Sequence, residues 1–243
     1  MDVVERYASV FDALRRRKHW TMDVTVLRLA AMTLMAADVR DPWGDLHRAA
    51  ETLKERASWF SPIRSPIRYA LAAMVLRRDL DAARTHDRVQ DLLGRFRAAK
   101  LRPGSIQAVL SAFLIVLHHG DTPVPDEVLT RMAAILRRWK SDHPFLTGTD
   151  DYPMAALHAT RDDGVEECGA RVEAVYQALR AKKMRRGNAL QLASHLVSLG
   201  SGSPSGRALR FDRVRNALVD RGERVGTGRY DEVAILSLSL IHI

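Results

Sequence analysis

The sequence predicts an all-α protein built as six antiparallel helix pairs in a two-layered, curved array. Three observations predict it. An amphipathic segment ending in a large apolar residue, followed by basic residues, occurs six times, anchored at Leu14, Leu53, Phe96, Leu136, Leu179 and Leu218. The anchors are 39, 43, 40, 43 and 39 residues apart, a period near 40 that fills the 243 residues without remainder. Six further apolar segments lie between them, while Val and Ile runs are short and hairpin turn signals nearly absent.

The first helix of each pair is expected at 5–17, 45–56, 87–99, 127–140, 167–182 and 211–221. Apolar residues recur three and four apart, as at Val128, Met132, Ile135, Leu136 and Trp139, so one stripe of each faces a core. Basic clusters close these helices at Arg15-Arg16-Arg17-Lys18, at Arg137-Arg138 with Lys140, and at Arg180 with Lys182 and Lys183. Cations there offset the negative end of the helix dipole, worth roughly 0.3–1 kcal/mol each.

The second helices are expected at 23–36, 65–77, 105–118, 150–159, 188–199 and from 230 to the end. They are apolar nearly all round and must be covered on more than one side. A small residue recurs at matching places, Ala31, Ala73, Ala112, Ala156, Ser194 and Ala234, allowing helix axes to approach to about 8–10 Å. Caps or turn residues introduce most of them: Thr21 before Asp23, Ser61-Pro62 and Ser65-Pro66, Pro103-Gly104-Ser105, Thr149-Asp150 and Gly187-Asn188. Two layers follow, as a closed or nearly closed α/α toroid in preference to an open solenoid.

The whole chain, 1–243, reads as a single helical-repeat domain, with Gly200 to Gly206 (Gly-Ser-Gly-Ser-Pro-Ser-Gly) a flexible linker before the last pair. The ending Leu238-Ser239-Leu240-Ile241-His242-Ile243 back-translates into a common transposon-end sequencing adaptor. The expectation is therefore a truncated reading of a longer gene, with 238–243 an artefact; the alternative is a natural apolar helix.

With 47% hydrophobic and 28% charged residues, disorder is excluded as the main state. No apolar run reaches the roughly 18 residues a membrane span needs. The start, Met-Asp-Val-Val-Glu-Arg, is not a secretory signal, and Cys168 is the single cysteine. A cytoplasmic location is expected. The net charge of +9 comes from 38 basic against 29 acidic residues, with only six lysines. Richness in Arg and Ala reflects a GC-rich genome, so the charge argues only weakly for nucleic acid.

Three stretches are more particular than the repeat requires. They are Trp59-Phe60-Ser61-Pro62-Ile63-Arg64-Ser65-Pro66-Ile67-Arg68-Tyr69, His143-Pro144-Phe145-Leu146-Thr147-Gly148-Thr149-Asp150-Asp151-Tyr152-Pro153, and Gly187-Asn188-Ala189-Leu190-Gln191-Leu192-Ala193-Ser194-His195. In this order and spacing the chain resembles the bacterial family catalogued as domain of unknown function 4003, over nearly its whole length. The resemblance implies an all-helical cytoplasmic protein and carries over no activity, catalytic residue or ligand.

Candidate ligand-binding residues are Arg64, Arg68, Thr147, Asp150, Asp151, Asn188, Gln191 and His195. Helix N-termini converging on one rim would favour a carboxylate or phosphate, with Arg64 and Arg68, four apart, as a fork. The plainer alternative is that the caps only cap and the arginines pair with Asp150 or Asp151. Asn188, Gln191 and His195 form one stripe, with His158 a possible neighbour, and His195 could exchange a proton near neutrality. A histidine on an apolar helix is also commonly satisfied by a neighbouring carbonyl or hydroxyl. Glu166 and Glu167 beside Cys168 disfavour a thiolate. Neither His-Glu-x-x-His, a cysteine metal pattern, Gly-x-Gly-x-x-Gly after a strand nor a phosphate loop is present, so no metal or cofactor is expected.

The leading expectation is a non-enzymatic helical-repeat binding module for a protein segment or small acidic ligand. The alternative is an enzyme using His195 and an aspartate in a central toroid cavity. Electrostatic nucleic-acid binding is the third and least favoured, and no membrane association is expected.

Overall fold

A computed structural model describes residues 3–17, 23–35, 37 and 39–239. Among them are twelve α-helices, three short 3-10 turns and no strand. No described helix is long and apolar enough to cross a membrane. The chain divides into two compact units, Met1–Asp126 and Glu127–Ile243.

Unit 1 holds α1 (Val3–Arg17), α2 (Val24–Leu34), α3 (Pro42–Arg56), the turn η1 (Pro62–Arg64), α4 (Arg68–Arg77), α5 (Ala82–Phe96) and α6 (Ile106–His119). α2 packs on α1 and α4, α3 on α1, α4 and α5, and α5 on α6. Unit 2 holds α7 (Asp126–Asp142), which begins at the boundary residue, η2 (Thr149–Asp151), α8 (Tyr152–Ala159), α9 (Val165–Ala181), α10 (Asn188–Ser198), α11 (Pro204–Asp220), η3 (Thr227–Arg229) and α12 (Tyr230–Ser239). Here α10 packs on α8, α9, α11 and α12, and α11 on α9 and α12. A turn of the η kind thus precedes α4, α8 and α12, every second apolar helix.

The two sets of marker residues behave as their chemistry requires. Leu14, Leu53, Phe96, Leu136 and Leu179 are buried, and Leu218 is half-buried against the core of Val175, Leu190, Ala193, Phe211 and Val233. All six small residues of the apolar helices are fully buried. A larger side chain at any of them would have to push a neighbouring helix away. Cover is incomplete at α2, which leaves Leu29 and Met32 exposed, and at α12, which leaves Ile235 and Leu236 exposed. By contrast α4 buries Tyr69, Leu71, Ala72, Ala73 and Val75.

Helix starts differ from the sequence expectation where side-chain caps decide them. α5 begins at Ala82 rather than residue 87, because Asp81 accepts the Arg84 amide at 2.7 Å. α11 begins at Pro204 rather than residue 211, because Ser203 accepts the Gly206 amide at 3.2 Å and Pro204 fits the first turn. Residues 204–206 of the glycine-serine stretch are therefore helical. α4 begins at Arg68 rather than residue 65: Pro66 has no amide proton to give and disfavours helical backbone at Ser65, which stays extended after η1. Thr21, Lys18, Ala36 and the ending 240–243 lie outside the described residues.

Candidate functional site

The second and third particular stretches come together in unit 2. α7 ends at Asp142, and the loop from His143 to Gly148 leads into η2. Asp151, 7% exposed, folds its carboxylate back on this loop and accepts the Gly148 amide at 2.8 Å through Oδ2. Its Oδ1 accepts Gln191 Nε2 from α10 at 3.3 Å, and the same amide group donates to Thr147 Oγ1 at 3.2 Å. Gln191 is buried, so the amide ties loop, turn and helix together from beneath.

One turn further along α10, the buried His195 places Nε2 3.5 Å from Asp151 Oδ1. That is long for a hydrogen bond. The Trp139 ring of α7 lies over the His195 ring, with centroids 3.8 Å apart. Burial pushes the His195 pKa below the ordinary imidazole value, more than the Asp151 carboxylate raises it. Four buried polar atoms in this cluster, Trp139 Nε1, both ring nitrogens of His195 and Gln191 Oε1, have no hydrogen-bond partner.

His158 of α8 lies next to it. Its Nε2 is 3.3 Å from the His195 carbonyl oxygen and its Nδ1 3.4 Å from Arg171 Nη2. One neutral tautomer suits both contacts, with Nε2–H donating to the carbonyl and Nδ1 accepting from the guanidinium. Burial, then the neighbouring His195, lowers the His158 pKa to about 3. Both imidazoles are therefore neutral near pH 7.

On the solvent side of the loop opens a cleft of about 520 Å³ lined by His143, Phe145, Leu146, Glu173, Tyr176 and Arg186 among others. His143 Nε2 is 2.8 Å from Glu173 Oε2, and the His143 ring lies on Tyr176 with centroids 4.5 Å apart. Phe145, at the edge, is 98% exposed. The corresponding stretch of unit 1 exposes Trp59 and Phe60, with the Arg64 guanidinium over the Trp59 ring at 5.2 Å.

Of the eight candidate residues, Thr147, Asp151, Gln191 and His195 meet in one network. Asp150 is exposed on η2, and Asn188 is exposed at the first residue of α10, outside that network. Arg64 and Arg68 belong to unit 1 and have partners there. Arg64 Nη1 donates to the carbonyls of Lys54 and Ala57, and Arg68 Nη2 to Glu51 Oε1 at 3.1 Å. Cys168 is held as a thiol, with its pKa raised to about 11, but the leading cause is burial rather than the neighbouring glutamates. Trp139, Glu173 and Tyr176 were not singled out, because a core stripe and a solvated helix face explain them equally well. The His-Pro-Phe signal was visible but gave no hint of the cleft. Among the described residues no group of three or more His, Cys, Asp or Glu could hold a metal ion.

Over residues 10–240 the chain matches the family described as Protein of unknown function (DUF4003), and it belongs to that family. It is similar to the "Uncharacterized protein YeaA" of Bacillus subtilis (strain 168), 19% identical over 236 residues, covering 96% of this chain and 71% of the relative. No solved structure matches it.

Proposed function

We propose that this protein is a non-enzymatic, cytoplasmic binding module, whose cleft beside Phe145 receives a protein segment through an apolar side chain. The observation that carries this reading is the exposed Phe145 on a loop pinned from below by Asp151 and Gln191. An aromatic ring held in water at the edge of an apolar cleft is an anchor whose ordering cost is met before a partner arrives. Asp151 and His195 then serve as supports: their contact is buried, and both imidazoles are kept neutral.

The proposal includes the paired, curved array. In its favour, consecutive helices pack as pairs α1–α2, α3–α4 and α5–α6 in unit 1, and α9–α10 and α11–α12 in unit 2. Against nucleic acid as the partner stands the pairing of surface arginines: Arg56 with Asp87, Arg95 with Asp126, and Arg229 with Glu223 and Glu232.

A display library of random peptides, selected on the full chain, tests the site. Enriched peptides should share an apolar residue and bind Phe145→Ala and Tyr176→Ala at least about tenfold more weakly. Peptides that bind both variants as well as the parent would place recognition elsewhere.

A further inference from the structure

Near the C-terminal end of α10, three guanidiniums gather around a single carboxylate, and a fourth, that of Arg207, lies beside them without reaching it. Asp163, in the turn between α8 and α9, is ion-paired with Arg171 and lies 3.6 Å from both Arg131 Nη2 and Arg161 Nε. Arg207, in the second turn of α11, donates Nη1 to the Ser198 carbonyl at 3.1 Å, and Arg161 Nη1 reaches the Leu199 carbonyl at 3.5 Å. Two further neighbours add no negative charge: His158 is neutral, and burial keeps Cys168 a thiol with its pKa raised to about 11.

This charge is not at the surface. Arg207 is 9% exposed, and the side chains of Arg171 and Asp163 are 14% and 12% exposed. Arg207 Nε, Arg171 Nε and both Nε and Nη2 of Arg131 are buried without a hydrogen-bond acceptor, and the Asp163 oxygens, ion-paired but not hydrogen-bonded, do not satisfy them. Burial lowers the Arg207 pKa, and Arg171, Arg210 and Arg161 lower it further, with no carboxylate acting against them. The carbonyls ending α10 contribute only about half an elementary charge. An unneutralised buried guanidinium costs several kcal/mol. A counter-ion removes that cost, and planar guanidinium forks match the oxygens of phosphate and sulfate. The side chain of Arg161 is 44% exposed and leaves an approach from water.

We infer that the cluster of Arg131, Arg161, Arg171 and Arg207 binds a tetrahedral oxyanion of the phosphate or sulfate type. The site is separate from the Phe145 cleft and does not depend on the reading given for it. The test is the melting temperature of the full chain against increasing inorganic phosphate, sulfate and phenyl phosphate, with chloride at matched ionic strength. A saturable rise is expected with the oxyanions and not with chloride. It should be lost in Arg207→Gln and shifted about tenfold to higher concentration in Arg161→Gln, whose exposed side chain makes that variant fold. Arg84→Gln, far out on the surface of unit 1, should behave as the parent. Tighter saturation by inorganic phosphate assigns the free ion, and tighter saturation by phenyl phosphate assigns a phosphate ester. Equal rises in chloride, no saturation by any of the oxyanions, or an unchanged response in Arg161→Gln would overturn the inference.

Discussion

His158 meets His195 through the main chain as well as edge to face: His158 Nε2 lies 3.3 Å from the His195 carbonyl oxygen, and the ring centroids are 6.5 Å apart. α8 thereby reads the position of α10 through a backbone group, while burial and the acceptor role of Nδ1 toward Arg171 are what require the neutral imidazole.

Acid should therefore loosen unit 2. The folded-state pKa of both histidines lies below the unfolded value of about 6.5, so below that pH the unfolded chain binds protons that the folded chain refuses. The stability they allow is full above about pH 6.5 and falls as pH falls, for His158 down to about 3. At pH 4.5 a histidine that stays neutral accounts for about 2–3 kcal/mol of lost stability. Urea midpoints between pH 8 and 4.5 should fall, and His158→Gln should fall less steeply. An equal slope in the variant would show that His158 titrates normally.

Trp139 gives a second test. Its ring is 2% exposed and covers His195, but its Nε1 has no acceptor. Trp139→Ala should cost about 3–5 kcal/mol. Trp139→Phe should cost clearly less, since no hydrogen bond is lost with the indole. Equal losses in urea denaturation would mean that the N–H is satisfied and matters.

Asp151 is the hinge pin of the loop. Asp151→Ala frees the Gly148 amide and the Gln191 amide group, with a cost of about 1–3 kcal/mol. Hydrogen exchange of residues 145–148 should accelerate before the rest of unit 2, whereas Asp151→Asn, which keeps an acceptor oxygen, should slow it again. Uniform acceleration throughout unit 2 would deny the loop its own support.

Ser203 fixes where α11 begins. Ser203→Ala should destabilise the chain by about 1 kcal/mol and Ser203→Gly by only a few tenths. A thermal melt separates the two, and indistinguishable variants would mean that the Ser203–Gly206 bond contributes nothing.

The all-helical class and the buried small residues at Ala31, Ala73, Ala112, Ala156, Ser194 and Ala234 were legible because burial is periodic along a helix and so leaves its mark in composition. Helix starts were less legible. Asp81 and Ser203 decide them through single hydrogen bonds, and a serine that caps has the same local sequence as one in a Gly-Ser-rich loop. Half of the network could be read from the spacing of Gln191 and His195, four apart on one helix face. Thr147 and Asp151 stood out in the His143–Pro153 stretch, but Trp139 did not: it reaches the network from another element, and nothing local distinguishes a tryptophan over an imidazole from one in an ordinary core. The arginine cluster was hidden for the same reason, since Arg131, Arg161, Arg171 and Arg207 come from four separate segments.

The protonation of His195 tests most directly whether the buried network is a support or a reacting centre. Imidazole resonances followed by NMR across an acid titration should show His195 neutral well below the ordinary midpoint of about 6.5, with its shift unchanged until the protein unfolds. A reversible titration near that midpoint in the folded protein would expose His195 to solvent protons and contradict a purely supporting role.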